Sequence, residues 1–295
     1  MMYSDDVLRA VQLEQLKVLL KIDKFCKTHG IEYFLDAGTA LGAVRHHGFI
    51  PWDDDIDIGM LREDYERFVS LAQTELGESF ELGLPGVTDG YAPMFAKVWR
   101  KGTRFYTKET MEASFDQGIF VDIFPYDVVP RDSRAMKRQF SRCVRWQRIS
   151  YLYHAKSIQV PHRGVLGALE RAACVVAHYC FRITFSGSNL AVVFDRIARG
   201  AEQNHDETMR YAVMSYPADE PFDRKTLLPT ISCEFEGHSF PIPHDPDTYL
   251  KAWYGPEYMQ LPPVEERKNH APVMVDFGSG PLSMHRMIDS ANPAP

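Results

Sequence analysis

The chain has 295 residues, with 33 basic against 40 acidic side chains and a net charge of -7. That balance argues against a general nucleic-acid binder, which carries a basic excess, and 45% apolar with 25% charged residues is globular composition, not disorder. The five cysteines (Cys26, Cys143, Cys174, Cys180, Cys233) form no CxxC pair, so neither a disulfide framework nor a zinc-thiolate site is expected, and a reducing cytoplasm fits best.

In chain order, Asp5 to His29 has helical spacing, with Leu8, Val11, Leu16, Leu19, Leu20 and Ile22 on one face and Gly30 as its stop. Its charged, amphipathic start does not read as a secretory signal. Ile31 to Leu35 reads as a strand that runs into Asp36-Ala37-Gly38-Thr39, and Ala40 to Arg45 begins a helix. Asp55 to Ile58 alternates with period two, a second strand. Arg62 to Leu76 is helical, Phe95 to Trp99 and Ile119 to Phe124 are strands, and Ser133 to about Ala155 is a helix with a basic face. The longest apolar stretch, Ala172 to Phe181, is bounded by Glu170, Arg171 and Arg182. It is shorter than the ~20 apolar residues of a membrane span and reads as a buried helix, with a peripheral membrane contact as the alternative. A short helix near Tyr249 to Tyr254 follows. Helices alternating with short strands imply an α+β (mixed α/β) fold around a small sheet. A weakly marked boundary near residue 130 would divide a core, 1–130, from a helical and C-terminal region, 131–295, or the whole is one domain.

Asp53-Asp54-Asp55-Ile56-Asp57 carries the strongest chemical signal. Clustered carboxylates repel one another, and a cation or open solvent must relieve them. On a strand, Asp55 and Asp57 would share one face while Ile56 and Ile58 anchor the other. That suits Mg²⁺, which takes one or two protein carboxylates and leaves positions for water and phosphate; an acidic surface loop is the bland alternative. A calcium loop fails, because Ile58 stands where glycine is required and Asp64 where glutamate is required. Gly38-Thr39 offers N–H groups and a hydroxyl for phosphate. Asp122, a lone acid in Ile119 to Phe124, must face a cation or a polar cleft, with a structural pairing to an arginine as the alternative.

A glycine-hydroxyl turn, a strand with Asp-x-Asp and a later strand with a third Asp follow the pattern of the nucleotidyltransferase superfamily. More narrowly, Asp36 through Ile58 (DAGTALGAVRHHGFIPWDDDIDI) resembles the signature of the LicD family. That family includes bacterial phosphorylcholine transferases and is related to fukutin and fukutin-related protein. Gly118 to Asp127, Phe235-Glu236-Gly237, Phe240 to Pro243 and the blocks from Tyr249 to Pro263 extend the resemblance over roughly residues 10 to 270. No motif marks residues 157 to 230. The resemblance implies transfer of a phosphorylated alcohol such as phosphocholine from a CDP-activated donor to a glycan or glycolipid hydroxyl, with release of CMP. It implies Asp55, Asp57 and Asp122 as catalytic metal ligands, with Mg²⁺ or Mn²⁺ as cofactor; because a metal-bound hydroxyl loses its proton more easily near neutral pH, Asp122 would also accept that proton.

Further donor-binding candidates each have a structural alternative. Gly38, Thr39 and Arg45 would hold donor phosphate, or Arg45 a surface salt bridge. Lys97 and Arg104 would stabilise a diphosphate or stay solvated, and Arg267 and His270, with Tyr254, would close over the nucleotide or serve the fold. Asp53 and Asp54 would orient the loop, and Trp52 and Tyr126 would stack on a ligand or pack in the core. The basic face Arg134, Lys137, Arg138, Arg142, Arg145 and Arg148 would attract an anionic glycolipid or the inner membrane surface, or be a solvated face. A triphosphate-using nucleotidyltransferase and a non-catalytic scaffold are the rival functions. A serine hydrolase lacks its GxSxG elbow and a P-loop kinase its GxxxxGK[ST].

Overall fold

The computed structural model describes residues 5–156, 160, 162, 164–201, 209–218, 220–267, 269–270, 272–278 and 285–286. Helix α1 (Asp5–His29) buries Val11, Leu19, Ile22 and Cys26 and ends where Gly30 turns to φ 61°. Strand β1 (Phe34–Leu35), helix α2 (Ala37–His46), strand β2 (Asp57–Leu61) and helix α3 (Arg62–Glu75) follow, then strands β3 (Phe80–Gly83), β4 (Ala96–Arg100) and β5 (Arg104–Tyr106). After helix α4 (Lys108–Glu112) comes the longest strand, β6 (Phe120–Val129), and three helices: α5 (Ser133–His154), α6 (Gly164–Thr184) and α7 (Gly187–Ala198). Strands β7 (Arg210–Val213) and β8 (Phe222–Asp223), helix α8 (Arg224–Leu227), strands β9 (Ile231–Phe235) and β10 (His238–Ile242), helix α9 (Pro246–Tyr254), and strands β11 (Met274–Asp276) and β12 (His285–Arg286) complete the described elements.

The expected mixed α+β architecture is present. The main sheet runs β1-β2-β6-β4-β3, and β7 and β8 extend it from β6. Strand β6 organises it: β2 lies parallel along one edge, while β4 and β7 pair antiparallel with its first and second halves. Ten residues are needed because one strand serves three partners. Nearly every residue of β6 is buried, as suits a strand covered on both faces. Gly59 on β2 shows how tightly the layers close. A Cβ there would stand 2.5 Å from the Phe34 ring and 2.7 Å from Tyr126, two rings packed edge-on at 5.1 Å.

The region near residue 130 is the end of β6, and β7 from beyond it returns to the same sheet. A buried bidentate pair, Arg62 Nε and Nη2 to Asp127 at 2.7 Å each, joins α3 to β6, and Arg62 also reaches Asp195 of α7 at 3.3 Å. The hairpin β9–β10 turns at Glu236-Gly237, both at positive φ (53° and 73°). Glu236 accepts from Phe49 N–H at 3.2 Å and pairs with Arg9 of α1. The Phe-Glu-Gly motif therefore fastens the hairpin to the loop after α2, and Gly48 lacks a Cβ because Glu236 occupies that space.

Three expectations change. The strand foreseen at 31–35 is confined to Phe34–Leu35, and the strand foreseen from Asp55 begins at Asp57. The carbonyls of Asp53 and Asp54 are bonded by the side-chain amides of Gln12 (2.9 Å) and Gln15 (2.7 Å) on α1, so the acidic loop is held by a helix instead of a neighbouring strand. The apolar stretch at 172–181 is helical, within α6, but not buried: only Gly167 and His178 of that helix are buried.

Candidate active site

The centre of the site is a row across three strands. Asp57, the first residue of β2, is the register partner of Asp122 on parallel β6, and Lys97 of β4 is the register partner of Asp122 on the other side. Lys97 Nζ lies 2.5 Å from Asp122 Oδ1 and 3.6 Å from the centroid of the Phe120 ring. Asp122 therefore meets a cation, as a lone acid in an apolar strand must, but the cation is a lysine. Burial raises Asp122, the Lys97 charge and hydrogen bond pull it back, and Asp55 raises it again.

Asp57 is half-buried at the cleft. Burial, then the charges of Asp55, Asp122, Asp36 and Asp53, push it well above the usual carboxylate range. Its N–H donates to Thr39 Oγ1 at 2.9 Å, which fixes where β2 starts. Thr39 lies in the first turn of α2, not in a turn before it, and its hydroxyl oxygen is engaged by the chain itself. Asp36 caps α2, accepting from Ala37 N–H at 2.7 Å, from Tyr126 Oη at 2.7 Å and from Tyr249 Oη. Burial pushes Asp36 up to about 6, against the pull of these three donors.

The acidic loop closes the row from the α1 side. Burial and then the Asp55 charge raise Asp53 well above its ordinary range. Asp54 is completely buried and accepts from the His270 backbone N–H at 2.9 Å and from its Nδ1 at 3.0 Å. His270 Nδ1 is also 3.7 Å from Asp55 Oδ2. Burial disfavours the charged imidazole, but Asp55 and Asp54 outweigh it and raise His270 to about 9.

This donor set fits a divalent cation. One ligand atom each from Asp54, Asp55 and His270 lies within 4.8 Å of the others, and the half-buried Asp57 and Asp53 carry repulsion that a cation would relieve. The acids open into a cleft of about 870 Å³, lined by Asp36, Asp55, Asp57, Asp122, Lys97 and His270 and walled by Phe95, Phe105, Phe115, Phe124, Tyr151, Tyr216 and Trp253.

Of the residues singled out from sequence, Asp55, Asp57, Asp122, Lys97 and His270 come together in this cleft. Gly38 sits at its edge, where a Cβ would lie 3.1 Å from Asp53 Oδ2 and 3.8 Å from Tyr254 Oη. Three arginines do not line it. Arg45 donates to the carbonyls of Tyr258 (2.7 Å) and Gln260 (3.1 Å), so it clamps the chain after α9, and among the described residues it makes no salt bridge. Arg104 is 3.6 Å from Asp276 and 3.9 Å from Asp116. Arg267 donates to the Pro262 carbonyl and covers the Trp52 ring at 4.4 Å. Tyr126 is a core residue bonded to Asp36. Sequence reasoning passed over Asp36, although it opens the Gly38-Thr39 block. It also passed over Tyr151 and Tyr216, whose hydroxyls meet at 2.8 Å from segments 65 residues apart and carry no motif.

The chain is 31% identical over 287 residues to the lipopolysaccharide cholinephosphotransferase LicD of Haemophilus influenzae, an alignment covering 89% of this chain and 95% of that protein. The chain belongs to the LicD family. The LicD/FKTN/FKRP nucleotidyltransferase domain model matches residues 30–165, which include the acidic loop, Lys97 and Asp122 but not His270. Shorter similarities reach the human ribitol 5-phosphate transferase FKRP, 44% over 99 residues covering 33% of this chain and 17% of that protein. The mouse ribitol-5-phosphate transferase FKTN is 30% identical over 137 residues, covering 39% and 29%. In this LicD-family chain the signature block folds into α2 with its cap Asp36, the acidic loop and the start of β2, so it builds one side of the cleft.

Proposed function

We propose that this protein is a phosphoalcohol transferase. It moves a phosphorylated alcohol, phosphocholine or a similar group, from a CDP-activated donor to a hydroxyl of a glycan or glycolipid and releases CMP. The observation that carries this reading is the Asp57–Asp122–Lys97 row beside Asp55 at the floor of a cleft walled by aromatic rings. The similarity to a cholinephosphotransferase along nearly the whole chain supports it.

Asp55, Asp57 and Asp122 would hold Mg²⁺ or Mn²⁺. Such an ion neutralises diphosphate charge and orients the groups for in-line displacement. Lys97 adds a fixed positive charge from the protein itself. It also holds Asp122 by Oδ1, leaving the second carboxylate oxygen to take the acceptor's proton. That task suits a carboxylate raised by burial. The acceptor oxygen forms its bond to the phosphorus bearing the alcohol, the bridging P–O bond breaks, and its electron pair leaves with CMP. His270 and the buried Asp54 orient Asp55, and the rings of the wall exclude water from the diphosphate. The reading places the protein in the cytoplasm.

The test is product analysis with Mg²⁺ and a lipopolysaccharide-derived acceptor. CMP from CDP-choline, CDP-ethanolamine or CDP-ribitol supports the proposal and names the transferred group. Pyrophosphate from a nucleoside triphosphate, without CMP from any CDP donor, would replace it with nucleotidyl transfer. No product from either donor class would leave a scaffold.

A further inference from the structure

Helix α6 is anomalous for a globular protein. It is 21 residues long and apolar enough to cross a membrane, yet almost none of it is buried. Val165, Leu169, Ala172, Val176, Tyr179 and Ile183 recur at alternating four- and three-residue steps and all are exposed, Val165 at 81% and Ile183 at 88%. The apolar arc is broader than that line, since Leu166, Ala173 and Cys180 on one side and Ala168 and Val175 on the other are also exposed. It covers about half the cylinder at ~100° per residue. The opposite face belongs to the protein: Gly167 and His178 are buried, and His178 Nδ1 donates to the Leu152 carbonyl of α5 at 2.8 Å.

Two arginines border this arc, and a basic stripe lies on the neighbouring helix α5. Arg171 and Arg182 lie on one flank of α6. On α5, Arg134, Lys137, Arg138, Arg142, Arg145 and Arg148 form one exposed stripe, opposite the buried Met136, Cys143 and Gln147. Among the described residues none of these six is in an ion pair. The chain as a whole is acidic, at -7, so the concentration of basic charge here is local.

We propose that α6 lies in the plane of an anionic lipid bilayer, its apolar arc in the acyl boundary, with the α5 stripe adding attraction to the headgroups. A half-cylinder of apolar residues edged by arginine is the pattern of an interfacial helix, and several clustered cations supply attraction to anionic lipid. A spanning helix would have to leave α5 and break the His178 contact. A second copy of this chain fits less well, because α6 carries a single acid beside its arc, Glu170, and that carboxylate is already hydrogen-bonded by His162 at 2.6 Å. The inference stands on α5 and α6 alone and does not depend on the reaction proposed above.

Flotation of the full chain with lipid vesicles tests it. Wild-type protein is expected to float with vesicles of phosphatidylcholine and phosphatidylglycerol and to remain below with phosphatidylcholine alone, and added salt should weaken the binding. Val176→Asp combined with Ile183→Asp changes two exposed positions and should cut the bound fraction by roughly tenfold or more with an unchanged circular dichroism spectrum. Arg138→Glu with Arg145→Glu should abolish the preference for anionic lipid. Wild-type protein that ignores phosphatidylglycerol vesicles at low salt overturns the proposal. So does a concentration-dependent dimer, seen by sedimentation, that forms without lipid and is lost in Val176→Asp/Ile183→Asp.

Discussion

Lys97 and Asp122 face each other across β4 and β6 and meet at 2.5 Å inside the cleft that also holds Asp55 and Asp57. The pair belongs to the fold and to the candidate chemistry at once. Both partners are almost completely buried, so removing either strands a charge, at a cost of about 3–5 kcal/mol.

Asp122→Asn should therefore lose stability and turnover together. Urea unfolding should show the ion-pair loss, and turnover corrected for the folded fraction should still fall by a factor on the order of 10². Normal corrected turnover would reduce Asp122 to a structural partner of Lys97.

Metal dependence separates the acids from the rest of the molecule. Excess chelator should abolish CMP release and Mg²⁺ or Mn²⁺ should restore it. Because an ion that binds only the folded state stabilises it, Mg²⁺ should also raise the melting temperature, and Asp55→Asn should remove most of that rise. Full turnover in chelator would end the metal mechanism.

Arg62 and Asp127 make a stability prediction away from the cleft. Asp127 is completely buried and holds Arg62 by two 2.7 Å bonds, while Arg62 reaches Asp195 as well. Asp127→Asn should cost about 3–5 kcal/mol, measured by denaturant unfolding. The effect of Mg²⁺ on melting should survive in this variant.

Glu236 gives a pH dependence with a defined sign. The Arg9 hydrogen bond, opposed by burial, holds its carboxyl below the ordinary glutamate value. The native state thus favours the charged form. Its contribution is present above the ordinary value and is lost as pH falls through the depressed one. Wild-type protein should lose stability along that acid limb, and Glu236→Gln should lose less. Parallel melting curves for the two proteins below pH 5 would show that the link between α1 and the hairpin carries no weight.

The sequence disclosed the acids because charge crowding is local. Asp53 to Asp57 and the lone Asp122 can be read without knowing what surrounds them. What it hid were partners brought from far away. Arg45 looked like a phosphate ligand until Tyr258 and Gln260 presented carbonyls to it, and Asp54 looked secondary until His270 came within 3.0 Å. Period-two alternation at Asp55 to Ile58 suggested a strand, but amide side chains from α1 take the carbonyls just before Asp55. For α6 the apolar content was legible. Which face would be left without a neighbour depends on where α5 lies, and no local pattern encodes that.

The grip of Gln12 and Gln15 on the backbone of the acidic loop has a kinetic meaning. A loop of mutually repelling carboxylates would splay into solvent if only a cation held it, and each turnover would have to rebuild it. Anchored from behind by a helix, residues 53–55 keep their spacing whether or not charge in front of them is neutralised. Donor, product and ion can then exchange through a standing mould, and amide hydrogen exchange in this loop should be equally slow with Mg²⁺ and with chelator.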